Sequence, residues 1–199
     1  MKGCFGLIIK IAIVILAYIG FQTIGGVDFV KEQFDKWNHP SQDVLQEKAK
    51  KIADLSNIND EYIIDKTASV MDYHFVLAEH KATGQKIMLV DPKKEDILTK
   101  EDFKTGEVDE KIKGLNDKFQ YQLIRLENLK ITKKGQIHTL DQTVPYVKFE
   151  ADTVNLPIGH ISGIIGVAQK DDKNIILASM NKSDKYSQII TESFFKQVK

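Results

Sequence analysis

Residues 143–180 read TVPYVKFEADTVNLPIGHISGIIGVAQKDDKNIILASM, and this stretch decides the fold that the sequence predicts. β-Branched and aromatic residues, which favour strands, dominate Thr143–Val154, Ile161–Ala168 and Asn174–Met180. The cluster Lys170-Asp171-Asp172-Lys173 has the composition of a turn. We therefore predict consecutive strands that are joined by short connections and pair in an antiparallel sheet.

Further strands are predicted upstream of this stretch. Tyr121–Thr132 reads as a strand that ends in a turn at Lys133-Lys134-Gly135. An earlier β region has a hairpin turn at Lys81–Gln85, which contains Gly84. This region comprises three more strand candidates, Tyr62–Met71, Tyr73–His80 and Lys86–Val90.

Helical periodicity appears on both sides of these strands. Apolar residues recur at helical spacing through residues 42–56, where Ser41 is a plausible N-cap, and through Asp184–Val198, which follows Ser183. Shorter helices are expected in the charged interlude, near Thr99–Phe103 and Val108–Leu115. The order α-βββ-α-ββββ-α predicts an α+β fold in which helices cover an antiparallel sheet. Strands do not alternate singly with helices, so a parallel dinucleotide-binding sheet is not expected.

The N-terminus predicts a transmembrane signal anchor over residues 1–26. Phe5–Gly26 is apolar except for Lys10, Gln22 and Thr23. At ~1.5 Å rise per residue such a helix just spans a ~30 Å hydrocarbon core. Lysines at its start and no acidic residue favour a cytoplasmic N-terminus and an extracytoplasmic remainder. Residues 27–40 then form a juxtamembrane amphipathic stalk, and 41–199 form one exported domain or two subdomains, 41–92 and 119–199.

Three alternatives for the N-terminus stay open. A cleaved signal peptide needs small residues after the apolar core, and Ala17-Tyr18-Ile19 has a bulky residue there. A buried core helix is the second alternative. A pilin-like subunit is the third: Met1-Lys2-Gly3 resembles a short leader, but Ile8 stands where type IV pilins carry a glutamate.

Composition limits the classes of partner. The chain has 28 basic and 28 acidic residues, and two of the lysines lie in the first 26 residues, so the remainder carries a net charge of about −2. Arg125 is the only arginine, although planar phosphate recognition usually uses arginine. We expect no nucleic-acid partner. Cys4 is the only cysteine, so the exported part can form no internal disulfide.

Residues with catalytic potential are scattered along the sequence. His74 and His80 share a strand face, but six residues span roughly 20 Å, too far for one metal ion. Solvated strand ends are the better explanation of this pair, and the five histidines, at positions 39, 74, 80, 138 and 160, are scattered along the sequence. We predict no metal site, no cofactor and no catalytic residues, and we name no binding residue.

Gly159-His160-Ile161-Ser162-Gly163 resembles a nucleophile elbow, but its serine is one position late for Gly-x-Ser-x-Gly. The glycines at 159, 163 and 166 are predicted to mark a bulge or close strand packing. Asn181-Lys182-Ser183 is formally a glycosylation sequon, which capping by Ser183 explains without a glycan. Glu95-Asp96 and Asp171-Asp172 are paired carboxylates in charged turns, where solvation is the ordinary interpretation.

The closing part of the chain, from Val144 to Lys199, resembles PsbP-type domains. The shared pattern is a strand at Tyr146–Glu150, then Gly163–Ala168, Asn174–Ser179 and a terminal helix with Glu192-Ser193-Phe194-Phe195. The resemblance covers about a quarter of the chain. It implies an antiparallel sheet covered by helices and a non-catalytic accessory or assembly role, and it carries over no site residue.

We therefore expect a single-pass membrane protein of a bacterial cell envelope, held in the lipid bilayer through residues 5–26. Its extracytoplasmic domain would bind another envelope protein, a peptide or a lipid-soluble ligand without catalysis. A membrane-tethered hydrolase is the alternative, and it would require Ser, His and Asp or paired carboxylates to converge in three dimensions. The sequence leaves the oligomeric state open.

Overall fold

The computed structural model of this protein describes residues 40–70, 73–92, 97–118, 125–154 and 159–199. The strands are β1 (Tyr62–Val70), β2 (Tyr73–His80), β3 (Lys86–Asp91), β4 (Arg125–Thr139), β5 (Gln142–Val154), β6 (His160–Lys170) and β7 (Lys173–Lys182). The helices are α1 (Gln42–Ala49), α2 (Lys100–Thr105), α3 (Val108–Lys118) and α4 (Gln188–Gln197).

All seven strands form one antiparallel sheet in the order β1-β2-β3-β7-β6-β5-β4. The first three strands make one meander and the last four make another. The two meanders meet where β3 pairs with β7, with Leu89 opposite Leu177. Strands from both halves of the chain therefore share a single sheet, and β1 and β4 are its edges.

The predicted fold class, an α+β fold that begins with a transmembrane helix, is wrong. Strands dominate the described structure, and its longest helix, α3, covers only 11 residues. Within the described ranges, no helix is long and apolar enough to cross a membrane. Phe5–Gly26, on which the membrane-span prediction rests, and the stalk over 27–40 (apart from Pro40) lie outside the described residues, as do Glu95-Asp96.

Both faces of the sheet are covered by helices. One core lies between the sheet and α2–α3, where Val108 and Ile112 pack near Phe149. The other lies between the sheet and α1–α4, where Phe194 and Phe195 are completely buried. Burial on both faces explains why the central strands β3 and β7 read as continuous apolar runs rather than as alternating patterns.

The β4–β5 hairpin turns later than the sequence predicts. Lys133-Lys134-Gly135 lies inside β4, where Gly135 pairs with Tyr146. The chain instead reverses at Leu140 and Asp141, which both have positive φ, as a tight hairpin turn requires. The prediction failed because Gly135 is not a turn glycine: a Cβ there would lie 2.7 Å from the ring of Tyr146. The predicted turns at Gly84 and at Asp171-Asp172 are confirmed, each with positive φ.

Tertiary hydrogen bonds shorten both predicted long helices. Helix α1 ends at Ala49, because Asp54 forms two backbone hydrogen bonds with Lys199 that a continuing helix would not allow. Helix α4 begins after Ser187, not after Ser183. The Ser183 hydroxyl is instead 2.7 Å from that of Ser162. The charged-interlude helices are confirmed as α2 and α3.

A buried glutamine ties α4 to the sheet. The Gln85 side chain is fully buried, and its Nε2 donates to Ser179 Oγ (3.1 Å), the Ser187 carbonyl (2.9 Å) and Thr191 Oγ1 (2.7 Å). Its Oε1 accepts from the Ser187 backbone N–H at 2.8 Å. This set of bonds fixes the start of α4 over β3 and β7, because buried polar groups are costly when left unpaired.

Candidate functional site

A small pocket opens where α1 meets the first hairpin. Its volume is about 150 Å³. It lies at the end of the sheet where β1 ends and β2 begins. Its lining residues come from the end of α1, the turn that follows, and the paired ends of β1 and β2: Lys48, Lys51, Thr67, Ala68, Ser69, His74 and Phe75.

Helix α1 contacts the outer edge of β1 through the side chain of Gln42. The Gln42 side-chain amide occupies this edge like a neighbouring strand: its Nε2 donates to the Ile64 carbonyl (2.9 Å), and its Oε1 accepts from the Ile64 N–H (3.1 Å). Among the described residues, no strand lies beyond β1. We refer to these two bonds between Gln42 and Ile64 as the α1 cap.

The register indicates which other backbone groups of β1 face outward. Ile64, Thr67 and Ser69 pair with Ala78, Val76 and His74, all even-numbered positions of β2. Even-numbered residues of β2 direct their N–H and C=O groups toward β3: the backbone N–H of His80, for example, donates to the carbonyl of Gln85. Because antiparallel pairs alternate, Thr67 and Ser69 direct their N–H and C=O groups away from the sheet, as Ile64 does. These two residues also line the pocket.

A serine and a histidine touch within the pocket. Ser69 Oγ lies 2.5 Å from His74 Nδ1. Asp91, which is 2% exposed, is the register partner of His74 on β3. Directly opposed residues of neighbouring strands share a face, so Ser69, His74 and Asp91 form a row across three strands. Lys173 Nζ is 4.0 Å from Asp91 Oδ2 at the far end of this row.

The rim of the pocket is cationic. Lys48 and Lys51 are exposed and stand on the α1 side, while the Thr67 hydroxyl oxygen is buried on the β1 side. That oxygen has no hydrogen-bond partner within the described part of the chain. The arrangement of two ammonium groups, a serine hydroxyl and an imidazole suits an anionic group such as a carboxylate, because each can donate a hydrogen bond to it.

The other histidines lie elsewhere. His80 is buried, with its ring 5.2 Å from that of Tyr62, so the prediction that it sits at a solvated strand end is wrong. His138 is exposed on β4, and His39 lies outside the described residues. In the part of the chain that the structure describes, no three His, Cys, Asp or Glu side chains are arranged to hold a metal ion.

His160 belongs to a second polar cluster, at the opposite end of the sheet. Its Nδ1 lies 2.7 Å from Asp152 Oδ1, and Asn128 donates to Asp152 Oδ2 at 2.7 Å. These hydrogen bonds, first from Asn128 and then from His160, lower the pKa of Asp152. Asp152 and His160 are about half exposed, and Ser162 bonds to Ser183. Nothing here forms a nucleophile elbow.

Gly163 and Gly166 pack closely, as predicted for the glycines of this segment, whereas Gly159 does not. A Cβ at Gly163 would lie 2.4 Å from the Ser179 carbonyl oxygen, and one at Gly166 would lie 2.9 Å from the Pro145 carbonyl oxygen. Gly159 has positive φ and open space around it. The sequon residue Asn181 donates its side-chain amide to the Thr83 carbonyl and is partly buried.

Sequence reasoning missed the pocket residues. No local pattern singles out Lys48, Lys51 or Ser69 in the sequence. Only His74 was considered, as a metal ligand. The signal that could have found the pair is the short connection between β1 and β2, which brings Ser69 opposite His74 once the hairpin register is known.

A comparison with models of known protein families finds no match, and a search of curated proteins finds no similar sequence. We therefore infer function from the arrangement at the β1 edge.

Proposed function

We propose that this chain is a membrane-attached binding domain of the cell envelope that takes up an extended, acidic segment of a partner protein at the β1 edge. The observation that carries the proposal is the coincidence of outward-facing Thr67 and Ser69 with the lysine-rimmed pocket. The role is one of assembly or accessory binding, without catalysis.

The edge supplies the backbone part of recognition. An added strand hydrogen-bonds to the exposed edge of a sheet, and alternate side chains of that strand enter pockets beside it. Gln42 already occupies this position at Ile64. An incoming segment would continue from there and bond to Thr67 and Ser69, next along the same edge.

The pocket supplies the chemical preference. An acidic side chain of the incoming segment would approach Lys48 and Lys51 and accept from Ser69 or His74. Opposite charges across an interface speed association and exclude partners of the wrong sign. The opposite edge strand, β4, is rich in lysines and carries two irregularities of register, which are features that protect an edge from pairing.

Membrane attachment rests on the sequence of residues 5–26 alone, whose apolar composition suits a lipid bilayer. The accessory role is supported by analogy, through the sequence resemblance of Val144–Lys199 to PsbP-type domains.

A direct test uses the full-length chain in a non-ionic detergent and a short fluorescent peptide in which glutamate alternates with threonine. We expect saturable binding that weakens with salt, and a loss of about tenfold or more in affinity in the double variant Lys48→Glu, Lys51→Glu. The matched control reverses two exposed lysines elsewhere, Lys185→Glu and Lys196→Glu, and should bind normally. Equal loss in both double variants would refute the assignment.

A second variant tests the backbone contribution. Thr67→Pro removes an outward-facing N–H while leaving the hydrogen bonds between β1 and β2 in place, and edge strands tolerate proline. Binding should be lost although the circular dichroism spectrum stays unchanged. Undiminished binding would show that the peptide does not add to this edge.

The contact between Ser69 and His74 favours one alternative function, hydrolysis. Serine is activated as a nucleophile when a neighbouring base accepts its proton, and here the two groups are 2.5 Å apart. If the pair is hydrolytic, a fluorophosphonate probe should label the wild-type chain and leave Ser69→Ala unlabelled. No labelling of the wild type would remove this alternative.

A further inference from the structure

A buried lysine lies between two carboxylates on the face of the sheet opposite the pocket. The Lys86 side chain on β3 is only 4% exposed. It forms an ion pair with Glu79, its register partner on β2, and its Nζ is 3.8 Å from Asp65 Oδ2 on β1. The three residues thus form a row across the first three strands.

Asp65 occupies an irregular position in this row. The register of β1 shifts between Ile64 and Lys66, so Asp65 is the extra residue of a bulge, and bulges redirect side chains. Its Oδ2 atom is buried and has no hydrogen-bond partner within the described residues. A buried carboxylate oxygen left in this state is costly, unless its charge is removed or neutralised.

Amide formation would remove that cost. A lysine amine is a competent nucleophile when its proton is taken up by a neighbouring base, and a carboxylate such as Glu79 can carry a proton between two reacting groups. Fixed proximity of the reacting groups supplies much of what such a reaction needs. At this row Lys86 is ion-paired with Glu79, and its Nζ lies 3.8 Å from Asp65 Oδ2.

We propose that Lys86 and Asp65 condense into an intramolecular amide cross-link, with Glu79 as the proton carrier. Glu79 accepts a proton from the Lys86 ammonium group, and Nζ attacks Cγ of Asp65. The C–N bond forms and a C–O bond of the carboxyl breaks. Glu79 returns the proton to the leaving oxygen, which departs as water with a second proton from the nitrogen. One positive and one negative charge disappear, and Glu79 ends ionised as it began.

The cross-link would tie the edge strand β1 to β3 across β2. It closes a loop between residues 65 and 86, which lowers the conformational entropy of the unfolded chain, and in the folded state it limits how far β1 can separate from β3. The link is on the opposite face from the pocket and does not depend on the proposed peptide binding. It would keep the β1 edge in place while a partner segment pairs with it.

Intact-mass measurement of the denatured, full-length chain tests this directly. The wild-type chain should be lighter than its sequence mass by one water molecule, and a proteolytic digest should yield a branched peptide joining Lys86 to Asp65. Lys86→Met should have its full sequence mass. A wild-type chain at full mass after prolonged incubation at neutral pH would overturn the proposal, as would a branch at Glu79.

Two carboxylate variants separate the roles. Asp65→Asn should reach the same branched product by losing ammonia instead of water, because the amide nitrogen then leaves with the proton. Glu79→Gln should keep its full mass, since it cannot carry the proton. A Glu79→Gln chain that cross-links as completely as the wild type would refute the role of Glu79.

Discussion

Gly163 gives the sharpest test of how the central strands pack. It lies in β6 between Phe149 on β5 and Met180 on β7. A Cβ added to Gly163 would lie 2.4 Å from the Ser179 carbonyl oxygen and 2.7 Å from Cζ of Phe149. Both distances are shorter than van der Waals contact, and the oxygen belongs to the backbone of a paired strand, so it cannot turn away.

The expected cost of Gly163→Ala follows from this overlap. Relief requires β6 and β7 to separate and the Phe149 ring to leave its position as well, and overpacking of this kind costs about 1–3 kcal/mol, occasionally more. Because the backbone itself must move, we expect about 3 kcal/mol of lost unfolding free energy. For a chain of this size that corresponds to a fall in Tm of roughly 6–12 °C.

Urea unfolding of the full-length chain in non-ionic detergent, followed by far-ultraviolet circular dichroism, measures this change. Gly114→Ala is the matched control: Gly114 lies in α3 with open space where the Cβ would go, and alanine there should stabilise by about 0.5–1 kcal/mol. A Gly163→Ala chain within about 0.5 kcal/mol of the wild type, a range typical of surface substitutions, would refute the packing argument.

Three further predictions concern buried polar groups. Burial raises the pKa of Tyr186 to about 12, so the neutral phenol stabilises the fold below pH ~10, and this contribution is lost between about pH 10 and 12; the ultraviolet titration should show a late step that Tyr186→Phe lacks. Gln85→Leu leaves the Ser187 N–H unpaired and should cost about 2–3 kcal/mol in urea unfolding, more than an exposed substitution. Burial alone would raise the pKa of Asp102, but hydrogen bonds from Lys111 and Thr99 leave this pKa lowered. The ionised carboxylate therefore stabilises the fold fully above the ordinary carboxyl pKa, and this contribution is lost as the pH falls through the lowered pKa of the folded state. Nuclear magnetic resonance titration of the Asp102 carboxyl measures that pKa.

The positions of most strands along the chain could be predicted from the sequence. The predicted range Tyr73–His80 matches β2 residue for residue. Strands β5, β6 and β7 each begin one residue earlier than predicted; β5 ends where predicted, and β6 and β7 end two residues later. These strands are rich in β-branched and aromatic residues and are bounded by turn residues, so local chemistry and tertiary structure agree. The same agreement held for the turn at Asp171-Asp172.

The failures came where tertiary contacts overrode a local pattern. Gly135 reads as a turn residue but lies within β4, because the Tyr146 ring packs against it. Ser183 reads as a helix cap but bonds to Ser162. Such contacts join residues far apart in the chain, and no local periodicity reveals them.

The candidate site could not be predicted from the sequence either, because it too depends on tertiary contacts. Lys48 and Lys51 resemble any solvated helix face, and a serine near a strand end has no distinctive signal. Only the hairpin register brings Ser69 beside His74, and only the α1 cap on Ile64 shows which part of the β1 edge remains for a partner.

Backbone amide mapping by nuclear magnetic resonance is the most direct test of the β1-edge proposal. The full-length chain, labelled with nitrogen-15 in detergent micelles, would be titrated with the glutamate–threonine peptide. The proposal predicts the largest shifts at the Thr67 and Ser69 amides, with those of β4 unchanged. Shifts that centre on β4, or on neither edge, would contradict it.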